Sequence, residues 1–385
     1  MKDFIKYKLR ELLVTEERIN FDIPIPNDIK KIKDVFVKNG KKLFVVGGAV
    51  RDAILGKMSK DYDLATDALP NEVETIMNKA GYKTLPTGKA FGVINVFTDE
   101  GEYEIATFRR DLGKGRRPDG VEFTDINQDV MRRDLTINAL YYDIDTGEVV
   151  DLVGGIEDIK KGIVRTVGSA EERFGEDRLR IMRAIRFAGR FGSELEPNVD
   201  RALQMDSSLE GISAERIRDE FLKGIKSAKS VVHYMHLLDK YNLFEWIFPK
   251  MKINRVFVEE KNPIVQIANI LKYNDPKFVT TQLNKLSYSV LEEEQVGFLL
   301  RFLSFTPEQI YQYKKEQAVS KISDDVIKKF SEINNLDKKV VDAFIKFKLS
   351  VTGQSMLDKG IKAGPEVGKA VMKAEINNFK QILMQ

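Results

Sequence analysis

The sequence contains no cysteine and only two histidines among its 385 residues. The lack of cysteine excludes disulfide bonds, thiolate metal sites and cysteine nucleophiles. The histidines, His233 and His236, lie three residues apart in an apolar stretch, and this spacing predicts partly buried packing on a helix. A catalytic metal would therefore be held by carboxylates, which favours Mg²⁺ or Mn²⁺ over zinc.

Long apolar runs are also missing from the sequence. No stretch of 18 apolar residues occurs, and charges interrupt the N-terminal segment, so we expect neither a membrane span nor a secretory signal. A cytoplasmic location is the resulting expectation. The net charge is only +3, but residues 173–190 carry six arginines against two acids. A polyanion can therefore bind one face of the protein although the whole chain is only weakly basic.

The chain changes character near residue 160. Strand and helix patterns alternate from about 41 to 150, with a buried strand at "LFVVGG" and a hairpin at "ALYYDIDTGEVVDL". Long amphipathic segments follow, and a break between helices is expected at 252–263. We therefore predict an α/β head followed by an all-helical remainder.

The stretch "VVGGAVRDAILGKMSKDYDLA" contains the first candidate site. Gly47 and Gly48 follow the buried strand directly, where glycines let a backbone approach phosphate closely. Arg51 is expected in the first turn of the next helix, where its guanidinium can clamp the same phosphates. Asp61 and Asp63 alternate along an extended segment, so both carboxylates are expected on one side. Such a pair suits two Mg²⁺ ions roughly 3.5–4 Å apart, which implies phosphoryl transfer.

An arginine-rich segment, "EDRLRIMRAIRFAGRF", forms the second candidate site. At helical spacing its arginines share one face and its apolar residues share the other. A solvated helix with salt bridges is one interpretation; the alternative is an anion-binding face, since few acids accompany the arginines. The predicted arginine face comprises Arg180, Arg183, Arg186 and Arg190, opposite Ile181, Ile185 and Ala188.

Asp177 and Arg180 lie three residues apart at the start of this segment. They are expected to be neighbours that present an acceptor and donors together. A carboxylate can accept from the exocyclic amine of cytosine or adenine, while a guanidinium donates to a ring nitrogen or carbonyl.

These motifs together resemble the class II tRNA nucleotidyltransferases, the CCA-adding enzymes, and their bacterial poly(A) polymerase relatives. The resemblance runs in order from about 43 to 191 through four motifs. They are "GGAVRDAILG" with "DYDLAT", "GRRPDGVEF", "RRDLTINAL" and "EDRLRIMRAIRF".

The resemblance implies an α+β multidomain protein with a polymerase β-like nucleotidyltransferase head built on a mixed sheet. All-α neck, body and tail domains would follow the head. The expected divisions are an N-terminal helical segment at 1–40, the head at 41–160, the neck with a nucleotide-template helix at 161–222, the body at 223–290, and a tRNA-binding tail at 291–385.

The resemblance also implies roles for residues of the later motifs. In "RRDLTINAL", Arg132 and Arg133 would meet phosphate, and Asp134 and Asn138 would contact the sugar, sharing one face if the segment is helical. Glu104 occupies the strand position where related folds place a third acid, although an outward-facing Glu explains it equally well.

For the arginine-rich segment, the resemblance implies a protein template that selects CTP and then ATP. Asp177 and Arg180 would read the base, and Arg183 and Arg186 would help to hold the nucleotide. A flexible loop is expected at 109–123, with Lys114, Arg116 and Arg117 beside the site. Lys114 stands where many relatives carry an acid, which leaves open whether one enzyme adds all three nucleotides.

The expected function is therefore template-independent addition of C, C and A to a tRNA 3′ end from CTP and ATP, with two Mg²⁺ ions or Mn²⁺. The expected partner is tRNA with an absent or incomplete CCA end, and no membrane association is expected. The protein would be a monomer or a homodimer. The alternatives are a poly(A) polymerase, a CC-only or A-only enzyme, an antibiotic-type nucleotidyltransferase, and, less favoured, a non-catalytic tRNA-binding protein.

Overall fold

The computed structural model describes residues 16–59, 61–113 and 120–384. The chain forms two compact units, Met1–Gly211 and Ile212–Gln385. Within the described residues, every helix is too short or too polar to cross a membrane.

An eight-stranded mixed sheet organises the first unit, in the order β1-β10-β9-β2-β3-β6-β5-β4. Only β3 and β6 pair in parallel, and the other neighbours are antiparallel. The mixed sheet predicted for the head is thus confirmed. Its strands are β1 (Glu17–Asn20), β2 (Leu43–Val46), β3 (Asp63–Thr66), β4 (Lys83–Gly88), β5 (Val93–Phe97), β6 (Glu102–Thr107), β9 (Leu140–Asp143) and β10 (Glu148–Asp151); β7 (Arg109–Leu112) and β8 (Gly120–Phe123) form a separate antiparallel ribbon.

The centre of the sheet is apolar because β2 is buried along its whole length. Alternate residues point to opposite faces of a strand. Phe44 therefore shares a face with Phe108 and Tyr141, and the ring centroids of Phe44 and Phe108 are 5.6 Å apart. The predicted strand at "LFVVGG" and the predicted hairpin of β9 and β10 are both present.

Helices connect and cover the strands of the first unit. They are α1 (Asn27–Lys38), α2 (Gly48–Ile54), α3 (Pro70–Lys79), α4 (Ile126–Met131), α5 (Gly155–Lys161), α6 (Ala170–Glu176), α7 (Leu179–Phe191) and α8 (Pro197–Met205). The segment 1–40 was predicted to be helical. Helix α1 lies within it as predicted, but β1 also lies within it and pairs with β10 at the edge of the sheet. Residues 1–15 lie outside the described residues.

Helix α7 begins later than the sequence pattern predicts. Glu176 ends α6, and Asp177 has the extended backbone angles φ −146° and ψ 107°. The Asp177 carboxylate accepts a hydrogen bond from Leu179 N at 3.0 Å. An Asp side chain competes for backbone donors in this way at helix starts. The single continuous helix expected from residue 176 is therefore two helices with Asp177 between them.

The second unit is helical throughout its regular structure. Polar side chains cap many of its helices; for example, Ser289 accepts from Glu292 N in a capping box. The helices are α9 (Ala214–Ser227), α10 (Val231–Lys240), α11 (Phe244–Ile247), α12 (Pro263–Leu271), α13 (Pro276–Lys285), α14 (Val290–Phe302), α15 (Ile310–Ser320), α16 (Asp324–Ile333), α17 (Lys338–Lys346), α18 (Gly353–Asp358) and α19 (Pro365–Met384).

Two details of the second unit bear on the sequence predictions. The break expected at 252–263 is present, since residues 252–262 have no regular structure. His233 is half-buried as predicted, but the same prediction is wrong for His236, which is exposed against the Phe257 ring. The compact units meet in the chain at 211 and 212, so the division into head, neck, body and tail stays a prediction.

Candidate active site

A sharp turn at Gly47 joins β2 to α2. Its backbone angles are φ 70° and ψ −122°, a combination that favours glycine. Gly47 N donates to Leu140 O at 3.1 Å. A Cβ on Gly47 would lie 3.7 Å from Asn138 O and 3.9 Å from Arg133 Nη1. The predicted glycine turn is therefore present and faces the "RRDLTINAL" segment.

Two exposed aspartates lie at the start of β3. Asp63 is the first residue of the strand, and Asp61 precedes it by two positions. In the parallel pair of β3 and β6, Leu64 is opposite Ile105. Exposed Glu104 immediately precedes Ile105 in β6, as Asp63 immediately precedes Leu64 in β3. The predicted third acid therefore comes from the neighbouring strand.

The electrostatic surroundings of Asp63 disfavour its negative charge. Its pKa is raised, first because the surrounding protein desolvates the carboxylate and second because Asp61 repels it, while Arg133 opposes both effects. Ser59 Oγ accepts from Asp61 N at 3.2 Å and donates to Asp61 O at 2.7 Å, which holds the backbone of Asp61. A cation close to the two aspartates would relieve their repulsion.

The donor set fits a hard divalent cation. Within the described ranges, no three His, Cys, Asp or Glu side chains lie close enough to hold a metal together, so Glu104 does not complete a three-carboxylate site with the aspartates. Mg²⁺ commonly takes one or two protein carboxylates and completes its coordination with water and substrate phosphates. The pair Asp61 and Asp63 matches that pattern.

Arg51 is buried beneath the glycine turn rather than extended into solvent. Only 4% of it is exposed, its Nε donates to Asp52 Oδ1 at 3.0 Å, and its Nη1 donates to Asn138 Oδ1. Its Cζ lies 4.9 Å from the centroid of the Phe187 ring. Burial lowers the pKa of Arg51, partly offset by Asp52. Arg51 therefore holds Asp52 and Asn138 in place through hydrogen bonds. Its contact with phosphate stays a prediction.

Asp129 is a buried carboxylate that holds both predicted arginines. Its Oδ1 accepts from Arg132 Nε at 2.9 Å and from Arg109 N at 3.1 Å. Its Oδ2 accepts from Tyr141 Oη at 2.7 Å and from Arg133 Nη2 at 3.2 Å. Burial raises the pKa of Asp129, but Arg133 and Arg132 outweigh it and the net pKa is lowered.

The sequence reading did not identify Asp129 or Tyr141. A signal was present, because Asp129 precedes Arg132 by three positions and Arg133 by four, the spacing of helical ion pairs. Tyr141 gave no such signal: it lies on β9, and its hydroxyl accepts from Arg133 Nε at 2.8 Å. Arg133 also lies against the ring of Tyr141, 4.7 Å from its centroid.

Asp134 and Asn138 meet, although the segment is not the α-helix that would have placed them on one face. Asn138 is the last residue of a 3₁₀ turn at Thr136–Asn138, and Asp134 precedes this turn by two positions. Asn138 Nδ2 donates to Asp134 Oδ1 at 3.4 Å. Asp134 Oδ2 accepts from Arg183 Nε at 2.5 Å. Burial raises the pKa of Asp134, yet Arg183 lowers it more and the net shift is downward. This ion pair joins the "RRDLTINAL" segment to α7.

The arginine face of α7 is confirmed. Ile181, Ile185 and Ala188 are buried, whereas the arginines are partly exposed. Arg180 Nη1 donates to Arg173 O at 3.1 Å and to Glu176, and its Nη2 donates to Arg132 O at 3.0 Å. Its Nε has no hydrogen-bond partner among the residues that the structure describes.

The expected shortage of acids along this face is wrong. Arg183 pairs with Asp134, and Arg190 Nη2 lies 2.9 Å from Asp52 Oδ1. These acids come from other elements, so the sequence of α7 could not reveal them. Arg186 lies over the ring of Phe187, 4.3 Å from its centroid. Repulsion among the arginines is thus relieved by the protein itself, without an added anion.

The predicted flexible loop falls partly outside the described residues. Lys114, Arg116 and Arg117 all lie in 114–119, which the structure does not describe. The loop prediction is wrong for the two described ends of 109–123, because 109–112 and 120–123 are the strands β7 and β8 of an antiparallel ribbon. Asp129 accepts from the backbone of Arg109 at the base of β7, so the ribbon and the arginines share one anchor. The roles assigned to the three loop residues stay predictions.

Two segments of the chain match known protein families. Residues 43–165 match the Poly A polymerase head domain. Residues 194–254 match the probable RNA and SrmB- binding site of polymerase A. A CCA-adding enzyme of Lactobacillus johnsonii is 34% identical over 374 residues, covering 88% of this chain and 91% of that protein. One of Streptococcus pyogenes is 32% identical over 381 residues, covering 91% and 93%.

Solved structures show a similar fold. The crystal structure of the Bacillus stearothermophilus CCA-adding enzyme in complex with CTP is 26% identical, with a TM-score of 0.68, and covers 93% of this chain and 96% of that chain. The Thermotoga maritima CCA-adding enzyme complexed with tRNA is 21% identical, with a TM-score of 0.69, and covers 98% and 97%. The second likeness concerns the fold alone.

Proposed function

The chain belongs to the family of CCA-adding enzymes, which are tRNA nucleotidyltransferases, and from this premise we infer that it adds C, C and A to the 3′ end of tRNA. The nucleotides come from CTP and ATP, and no nucleic-acid template is used. The observation that carries this inference is the site in the first unit. There Asp61 and Asp63 lie at the start of β3, beside the glycine turn at the end of β2. Arg133, one of the arginines anchored by Asp129, lies next to this turn.

The reaction is attack of the RNA 3′ hydroxyl on the α-phosphate of the nucleotide, with pyrophosphate as leaving group. Enzymes of this family generally use divalent metals. We propose Mg²⁺, as two ions, held by Asp61 and Asp63; Mn²⁺ fits the same carboxylates. Glu104 is proposed as a supporting charge on the neighbouring strand and not as a third metal ligand. Bound cations of this kind neutralise triphosphate charge and make a hydroxyl more acidic.

The protein's own groups bind and orient the nucleotide. Arg132 and Arg133 provide positive charge for the triphosphate, and Asp129 fixes both guanidinium groups. The turn at Gly47 lets the backbone approach the phosphates. Asp134 and Asn138 are proposed to meet the sugar. Fixed donors and acceptors of this kind lower the barrier because little reorganisation accompanies the reaction.

Base selection is assigned to Asp177 and Arg180, next to the start of α7. Three acceptors bind the Nη atoms of Arg180 and fix the plane of its guanidinium group. The Nε–H group is then held in one direction and can donate to a base. A carboxylate and a guanidinium in fixed positions can match the pairing edges of cytosine and adenine. UTP and GTP would leave these polar groups unpaired, which costs binding energy.

We expect Arg180→Lys to lower the preference for CTP over UTP by about 10-fold to 100-fold, because one bidentate contact contributes about 1–3 kcal/mol of discrimination. The affinity for tRNA should stay within about threefold. Incorporation from each nucleotide, measured separately on tRNA without CCA, tests this result. Arg190→Lys is the matched control on the same helix, since Arg190 pairs with Asp52. Unchanged selectivity in Arg180→Lys would remove the base-reading role.

Gly47→Ala should lower the free energy of unfolding by about 1–3 kcal/mol, because an L residue is strained at this backbone conformation. Nucleotide transfer should also fall, since relaxation of the turn moves its backbone relative to Arg133. Gly40→Ala is the control, because Gly40 has φ 66° at the end of α1 and open space around an added Cβ. Denaturant unfolding and transfer rates should show a stability loss in both variants and an activity loss only in Gly47→Ala. Equal activity in the two would contradict a role for the turn.

The function itself is tested with tRNA that lacks its 3′ CCA. The purified protein and Mg²⁺ receive CTP alone, ATP alone, or both, and products are resolved to single nucleotides. Two additions with CTP and a stop after three with both nucleotides are expected. A long ladder with ATP alone would indicate a poly(A) polymerase, and additions limited to C or to A would indicate a partial enzyme. No addition at all would leave a non-catalytic tRNA-binding protein.

A cytoplasmic location is proposed, as is assembly as a monomer or a homodimer. The C-terminal residues 291–385 are proposed to contact tRNA through its shape and phosphates rather than its bases.

A further inference from the structure

The second unit contains a cavity of about 590 Å³ that the proposed active site does not use. It lies among the end of α15, the start of α16 and the residues after α17. Three lysines line it, Lys314, Lys321 and Lys348, together with one acid, Asp324. The lining therefore carries an excess of two positive charges.

Lys314 is unusual because it is a charged residue that is almost fully buried. It is 9% exposed, and its Nζ lies 4.2 Å from the centroid of the Phe344 ring. Its hydrogen-bond acceptor is the neutral amide of Gln317, at 3.0 Å. Gln317 Nε2 in turn donates to Asp324 Oδ1 at 2.6 Å, so the amide stands between the ammonium and the carboxylate.

The charge of Lys314 is incompletely balanced by its surroundings. Its pKa is lowered to about 8, first because burial desolvates the ammonium and further because Lys348 repels it, with only Asp324 acting in the opposite direction. Lysines on an ordinary solvent-exposed surface keep their ammonium groups in water, whereas Lys314 does not. The buried ammonium gains most from an anion that enters the cavity.

The rim of the cavity provides two further cations. Lys321 and Lys348 are exposed and form no salt bridge among the described residues. Lys321 ends α15 with φ 52°, a left-handed conformation that turns the chain into α16. Phe347 and Leu349 add apolar lining beside Lys348, which suits the carbon atoms of a sugar attached to a phosphate.

We propose that this cavity binds a backbone phosphate of the RNA substrate, with Lys314 at its floor and Lys321 and Lys348 at its rim. The proposal rests on the proposed function, which supplies an RNA partner. RNA is favoured over a free anion because the cavity is open and larger than one phosphate group needs.

The first test measures RNA affinity as a function of salt. The double variant Lys321→Gln and Lys348→Gln should weaken binding of tRNA without CCA by about fivefold to tenfold at about 0.1 M salt, and lower the slope of log Kd against log salt by about 1. A control with the same charge change, Lys31→Gln and Lys38→Gln, removes two exposed lysines of α1, outside both the cavity lining and the segment proposed to contact tRNA. Equal effects in the two double variants would overturn the proposal.

The second test uses the unmodified protein and therefore does not depend on a variant that folds. A water-soluble acylating reagent is applied near pH 8, and acylation of Lys314 is quantified by mass spectrometry. Bound tRNA should reduce acylation of Lys314 severalfold, because a phosphate both covers the amine and keeps it protonated. Acylation that tRNA leaves unchanged would overturn the proposal.

Inorganic pyrophosphate distinguishes a free anion from RNA in the same assay. Protection of Lys314 by pyrophosphate alone at submillimolar concentration, without protection by tRNA, would assign the cavity to a small anion and overturn the RNA assignment. Nucleotide-transfer activity shows whether the cavity proposal or the proposed function has failed. If the unmodified protein adds CCA but the cavity variants match their control, only the cavity proposal fails; if the unmodified protein adds nothing, the proposed function fails.

Discussion

Asp63→Asn is expected to lower the rate of nucleotide transfer by about 10³-fold while the protein stays folded and binds tRNA. A bound cation contributes several kcal/mol of transition-state stabilisation, and each 1.36 kcal/mol is about tenfold in rate. Asparagine keeps the shape of the side chain but loses the charge that holds the cation. Asp61→Asn should have a similar effect, since the two carboxylates act on the same site.

The stability of these variants separates chemistry from folding. Asp61 and Asp63 repel each other in the protein without metal, so removing one charge should not lower the midpoint of thermal unfolding. Asp99→Asn, at an exposed hairpin turn, is the control for loss of an acid. Single-turnover transfer, tRNA affinity and thermal unfolding are measured for all three variants. Wild-type rates in both Asp61→Asn and Asp63→Asn would exclude the cation site.

Asp129→Asn is expected to have the second-largest effect, on stability and activity together. Removal of this buried charge leaves Arg132 and Arg133 without their shared partner, and breaking a buried ion pair costs about 3 kcal/mol. Transfer should fall by about 10²-fold, since small displacements of binding groups have effects of that size. The loss should be mostly in kcat, because the arginines are present but misplaced.

The stabilisation by Asp129 should depend on pH. Its pKa in the folded protein is below the ordinary value of an aspartate, so its contribution is present above that ordinary value and disappears as pH falls through the lower folded value. The difference in unfolding free energy between wild type and Asp129→Asn should therefore shrink in acid. Chemical unfolding at several pH values measures this difference.

A second buried acid serves as the control for Asp129. Asp28 is 3% exposed and accepts from Thr98 Oγ1 at 2.7 Å, with no arginine partner among the described residues. Asp28→Asn should lower stability and leave kcat near wild type when assayed below its unfolding midpoint. Similar kcat losses in the two variants would show that Asp129 acts only through global stability.

Local sequence patterns predicted much of the head. The strand at β2, the glycine turn after it and the hairpin of β9 and β10 depend on neighbouring residues, so periodicity and glycine placement reveal them. The arginine face of α7 was predictable for the same reason. The helix starts later than predicted, at Leu179, because the Asp177 side chain competes for backbone donors, and periodicity does not register such competition.

Long-range partners were not predictable from the sequence. Asp52 and Asp134 balance the charges of α7 from other elements, and only the folded chain brings them there. The burial of Arg51 was not predictable either. Its position in a first helical turn does not show that Asn138 and Phe187, which are distant in the sequence, cover it. The lysine cavity combines Lys314 with Lys348, 34 positions along the chain, and no spacing rule connects them.

The ion pair between Asp134 and Arg183 connects two kinds of misincorporation, the use of a wrong base and the use of a wrong sugar. Asp134 belongs to the turn proposed to contact the sugar, and Arg183 to the helix that begins beside the residues proposed to read the base. Arg180 adds a second link through the carbonyl oxygen of Arg132. The residues proposed to recognise the ribose and those proposed to recognise the base are thus joined by direct hydrogen bonds. Substitutions that broaden base usage are then expected to admit deoxynucleotides as well, so that the two kinds of fidelity evolve together.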